Sequence, residues 1–103
     1  MTNIATATRT VLRYKLEPDN DGVSVVTTGK NPRLVHVGTG TSPTVCAWVE
    51  VDTDTADFGE VLRIASVGTG QTVPTAATYA GFVIEPCATG MAIRHLYLLP
   101  PVE

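Results

Sequence analysis

Residues 44–51 read Thr44-Val45-Cys46-Ala47-Trp48-Val49-Glu50-Val51, and this run decides the fold class. It is rich in β-branched and aromatic side chains, which restrict χ1 and suit the pleated surface of a sheet. The whole chain shares that bias, with 16 threonines and 14 valines against only two lysines. Seven prolines and nine glycines interrupt it so often that no window keeps a helical period for three turns. The reading is many short strands joined by tight turns.

Working outward from that strand gives six more. On the N-terminal side, Thr10 to Glu17 alternates Leu12, Tyr14 and Leu16 with Val11, Arg13 and Lys15. A period of two marks a half-buried strand. Pro18-Asp19-Asn20-Asp21-Gly22 is turn chemistry, because proline presets φ and glycine accepts positive φ. Val23–Thr27 is the next strand. After the Gly29–Pro32 loop comes Arg33–Val37, ending in Gly38-Thr39-Gly40. On the C-terminal side, Glu60–Val67 ends in Gly68-Thr69-Gly70, and Tyr79–Glu85 and Met91–Leu99 complete the set. Residues 75–78 are a candidate helical turn. Pro100-Pro101 stops pairing, because proline cannot donate to a ladder. Connections this short make neighbouring strands antiparallel, and seven strands with one oily face curl or split. The expectation is an all-β fold, a small antiparallel β-sandwich or barrel. Residues 1–9 form a Thr/Ala-rich arm that needs its own sheet or a neighbouring subunit to hold it, and 10–103 form one β domain.

Composition limits function. At 103 residues the chain buries enough surface to fold without a disulfide or metal staple. Net charge is −3 and the pI is 5.2. The seven cations, Arg9, Arg13, Lys15, Lys30, Arg33, Arg63 and Arg94, are scattered along the chain, which argues against a nucleic-acid partner. No run approaches the ~20 apolar residues of a membrane span, and the first residues lack a basic-then-apolar leader. A cytoplasmic start, with no membrane partner, is expected. Cys46 and Cys87 sit in strand-like runs and read as small buried hydrophobes.

Candidate chemistry is sparse. Arg33-Leu34-Val35-His36-Val37-Gly38-Thr39-Gly40 is echoed 30 residues on by Arg63-Ile64-Ala65-Ser66-Val67-Gly68-Thr69-Gly70. The two copies read as equivalent strand ends in two halves of the fold. Their glycines let backbone N–H groups approach an anion, with Arg33, Arg63 and Arg94 as further donors. No helix follows either copy, as dinucleotide and P-loop motifs require. His36 and His95 form a candidate pair on apolar strand faces, two ligands short of a closed zinc site. Asp52, Asp54, Asp57 and Glu60 do not complete a calcium loop, since Ala56 and Asp57 stand where an acid or amide and a glycine belong. No Ser or Thr lies in a nucleophile elbow. No catalytic residue, metal or cofactor is expected. Trp48, Phe58, Phe82, Tyr14, Tyr79 and Tyr97 are expected mostly in the core, and any left exposed would mark a partner surface.

The segments V-L-R-Y-K-L-E (11–17), R-L-V-H-V-G (33–38), C-A-W-V-E-V-D (46–52), V-G-T-G-Q-T-V-P (67–74), Y-A-G-F-V (79–83) and R-H-L-Y (94–97) resemble a family of small actinobacteriophage proteins of unknown function. The resemblance covers about residues 10–98. Its pattern has histidine after Gly-Thr-Gly, where this chain has Gln71. It implies a phage origin, hence the host cytoplasm or the virion, and assigns no activity. With the composition, it leads to the expectation of a non-enzymatic structural or interaction protein, such as a capsid-decorating or virion accessory subunit. Such a protein would form a homo-oligomer and meet another phage or host protein. The alternative is an early phage protein that binds a host protein or a small nucleotide-like anion through the Gly-Thr-Gly loops.

Overall fold

The structure is a computed structural model that describes residues 8–40, 44–53 and 59–101. Among the described residues, seven strands form two antiparallel sheets: β1 (Arg9–Lys15), β2 (Val23–Thr27), β3 (Arg33–Thr39), β4 (Val45–Asp52), β5 (Val61–Gly68), β6 (Thr78–Cys87) and β7 (Gly90–Leu98). One sheet has the order β1-β4-β3 and the other β2-β5-β7-β6. The all-β sandwich expectation holds, and each strand lies within two residues of its sequence-read position. Arg9, read as the end of the arm, already opens β1. Residues 75–78 form no helix; the Ala77 N–H donates to the Pro74 carbonyl in a turn, and Thr78 starts β6.

All five pairings are antiparallel, but most join strands that are not consecutive in the chain. Only β3–β4 and β6–β7 pair with their chain neighbours. The 18–22 turn instead carries the chain from one sheet to the other. Asp19 Oδ1 accepts from the Asp21 and Val23 N–H groups at 2.8 and 3.0 Å, and Gly22 has φ 78°.

β4 supplies the centre of the core, because its odd-numbered residues point inward. Ala47, Val49 and Val51 are buried with Leu16, Val26, Val37, Ile64, Val83 and Leu96. Full burial of each of these Val, Leu and Ile side chains contributes about 1.5–3 kcal/mol. Thr28, one of two buried polar residues among the described residues, is satisfied by donating its hydroxyl to the Glu60 carbonyl at 3.0 Å. The sheets approach most closely where β3 meets β6. There Gly81, at φ 143° beside a bulge, leaves room for Val37; a Cβ at 81 would lie 2.8 Å from Val37 Cγ2.

The two sequence-echo copies occupy similar positions in β3 and β5 but are not equivalent. A bulge between Leu34 and His36 turns both Leu34 and Val37 toward the core. β5 has no bulge there, so Ile64 joins the central core while Val67, also buried, lies on the other side of the sheet and lines a cleft with Val73.

Candidate functional site

The expected ligand residues separate into two groups on opposite outer faces. His36 lies on β3, opposite Trp48 of β4, on the outer face of the three-stranded sheet. His95 lies on β7, opposite Val67 and Phe82, on the outer face of the four-stranded sheet. The candidate histidine pair is therefore not assembled. Among the described residues no group of three or more His, Cys, Asp and Glu side chains is placed to hold a metal ion. Asp54, Asp57 and Phe58 lie outside the described residues.

Each Gly-Thr-Gly copy sits beside one histidine. Gly68, Thr69, Gly70, Gln71, His95 and Tyr97 contribute to a cleft of about 200 Å³. Gly68 and Gln71 are paired with each other: the Gln71 N–H donates to the Gly68 carbonyl at 3.1 Å, and Gln71 Oε1 accepts from the Gly68 N–H at 2.6 Å. With Gly70 at φ 92°, this is the geometry of a type II turn, closed by its own side chain. Arg63 turns to the Pro100 carbonyl at 2.8 Å, and Arg94 reaches the edge of Gly68 from a neighbouring cleft it shares with Glu85.

The first copy has a different setting. Gly38 and Thr39 belong to the β3 ladder opposite Cys46 and Val45, and the Gly40 N–H donates to the Thr44 carbonyl at 2.9 Å. Around them the topology collects charge that the sequence scatters. β1 and β3 flank β4, so Arg9, Arg13 and Lys15 share one outer face with Arg33, His36 and Trp48. Arg13, Trp48 and His36 stand in one row across three strands, and the His36 and Trp48 ring centroids are 5.1 Å apart. Sequence reasoning picked His36, Arg33 and the glycines but missed Arg13, Lys15 and Trp48. The odd-numbered cations of β1 were the available signal, since their alternation places them on one face.

Arg9 organises one end of this face. Its Nε donates to Glu50 Oε1 at 2.8 Å, its Nη1 pairs with Asp52, and its Nη2 donates to the Asn31 carbonyl at 2.6 Å. Asn31 Nδ2 donates to Asp52 Oδ2 at 2.7 Å. The Asn31 hydrogen bond, and then Arg9, hold the Asp52 carboxyl below its ordinary range. A depressed carboxylate stabilises the fold above its unfolded value of about 3.9, and the contribution fades as pH falls through the lower folded value. Asn31→Gly removes the amide yet accepts the positive φ of 53° at this position. NMR titration should then show the Asp52 midpoint moving up; an unchanged midpoint would leave Arg9 and Lys30 as the causes.

The β6–β7 part of the opposite outer face is apolar. Cross-strand pairs Tyr79–Tyr97, Phe82–His95, Ile84–Ile93 and Pro86–Met91 line the outside of the β6–β7 hairpin. Tyr79, Phe82, Ile84, Met91 and Ile93 are 46–65% exposed. Trp48 is only half-buried, so the aromatic set is far less internal than its sequence suggests. Cys46 is buried as expected, but Cys87 is exposed near the hairpin turn, and its hydrogen bond with Thr89 pulls the thiol pKa down.

Fold and surfaces together define a two-sheet β-sandwich with one basic–aromatic outer face and one bare apolar face. Residues 7–102 match the family described as Domain of unknown function (DUF7352), and the chain belongs to it. Comparison with curated proteins and with solved structures finds no match.

Proposed function

We propose that the protein is a non-enzymatic bacteriophage interaction protein that packs against copies of itself, as a capsid-decorating or other virion accessory subunit. The observation that carries this reading is the bare apolar face of β6–β7. Its five half-exposed large side chains alone leave roughly 500 Å² open, near the upper end for the largest patch on a monomer. The occupant is a second copy of this chain. Two such faces meeting about a two-fold axis would remove about 1,000 Å² from water, the lower bound of a specific interface. No carboxylate, lysine or arginine occurs among the four cross-strand pairs, so self-packing opposes no fixed charges. The phage setting is supported by the sequence resemblance.

The association is tested by light scattering behind size exclusion. The wild type should elute as an oligomer. Ile84→Asp with Ile93→Asp, which sets carboxylates against each other across the axis, should elute as a folded monomer. A monomeric wild type would refute self-packing. The virion role is tested separately by mass spectrometry of purified particles, and absence from the particle would end it.

A further inference from the structure

The outer face of the three-stranded sheet carries a second inference that does not rest on self-packing. Four of the seven Lys and Arg residues, Arg9, Arg13, Lys15 and Arg33, lie on it, in a chain whose net charge is −3. Arg9 engages both Glu50 and Asp52, the two acids of the face. Arg13, Lys15 and Arg33 form no ion pair among the described residues. They surround Trp48: Arg13 is directly opposite it, Lys15 is one row toward Cys46, and Arg33 is one row toward Glu50. Rows are about 7 Å apart along a strand and strands about 4.8 Å apart, so all three cations lie within reach of a small ligand seated on the indole.

The glycines of the first echo copy keep this seat open. A Cβ at Gly38 would stand 3.0 Å from His36 Nε2 and 3.7 Å from Trp48 Cζ3. A Cβ at Gly40 would stand 3.8 Å from Arg13 Nη1. Without them, the ring edges and the guanidinium border bare backbone. An indole tilted at 48° against an imidazole offers a flat surface for stacking, and the surrounding cations offer donors for phosphate oxygens. The other Gly-Thr-Gly copy lacks this combination, because Gln71 occupies its Gly68 amide and Arg63 is turned away.

We propose that this face binds a nucleotidyl unit, with its base stacked on Trp48 and its phosphate held by Arg13 and flanked by Lys15 and Arg33. A free nucleotide and single-stranded nucleic acid share that chemistry. The expectation against nucleic acid rested on cations scattered in sequence; folding gathers four of them.

Trp48 is the only tryptophan, so its fluorescence reports the seat directly. The protein is titrated with ATP, with decathymidylate and with inorganic tripolyphosphate. Saturable quenching by ATP or decathymidylate, but not by tripolyphosphate, is expected. Quenching by ATP assigns a free nucleotide; quenching by decathymidylate alone assigns a single strand. In the latter case affinity should fall with salt at a log–log slope of about −2, from three released counterions. Arg13→Ala should weaken binding about tenfold, the loss of one charged hydrogen bond, and Arg33→Ala should weaken it too. Arg63→Ala on the other sheet should not. Circular dichroism confirms that each variant is folded, and Arg33→Ala carries the test if Arg13→Ala is not. No quenching by any probe overturns the proposal. Equal quenching by tripolyphosphate, or equal loss in Arg63→Ala, does the same.

Discussion

Gly81→Val should lower the unfolding free energy by about 2–6 kcal/mol, combining strained backbone with an overpacked contact. At φ 143° a β-branched residue is a conformational outlier, and its Cβ alone would meet Val37 Cγ2 at 2.8 Å. Val37 is itself buried on β3, so the displaced methyl has nowhere to go without parting the sheets. Gly90 separates the two effects. It has φ 130° at the start of β7, next to the hairpin turn, and a Cβ there meets nothing within 4 Å. Gly90→Val should therefore carry the strain alone, about 1–3 kcal/mol. Urea unfolding followed by Trp48 fluorescence measures both. Equal losses would mean that the sheets are not in firm contact at residue 81.

Ile64→Ala should cost about 2–5 kcal/mol, because a four-carbon side chain leaves a cavity that two packed sheets cannot close. Ile64 is 1% exposed, on a strand paired on both sides by β2 and β7. That is a large share of the 5–15 kcal/mol typical of a domain, so the variant should melt far below the wild type. Val25→Ala on the outer side of β2 is the contrast. Val25 is 61% exposed, and the expected change stays within about 0.5 kcal/mol. Calorimetry comparing the two would count against the assigned core if both lost the same amount.

Which parts of this were legible in the sequence follows from the range of the physics. Strand positions were readable because alternation and turn residues act locally: Leu12, Tyr14 and Leu16 against Arg13 and Lys15 set β1, and Pro18 to Gly22 set the turn that follows it. Pairing was not readable, because β1–β4 and β2–β5 contacts join distant segments, and nothing local names the partner. The basic face depends on that pairing, which is why Arg13 and Arg33 looked isolated. The bare face was hidden for another reason. Tyr79-Ala80-Gly81-Phe82-Val83-Ile84 is apolar on both sides, the pattern of a strand covered on both faces. In the fold Val83 is buried, while Phe82 and Ile84 meet solvent.

The order of the first sheet also bears on how the chain survives its own synthesis. β1 leaves the ribosome before its partner β4, with residues 16–44 emerging between them, a delay of about 1–6 seconds at ordinary elongation rates. Throughout that wait its amides and carbonyls form an open template for any passing extended segment. Arg9, Arg13 and Lys15 put positive charge at every other step but one along that template, the device by which unpaired ribbons repel copies of themselves. The side chains that frame Trp48 in the finished sandwich thus also charge the strand while it is still unpaired.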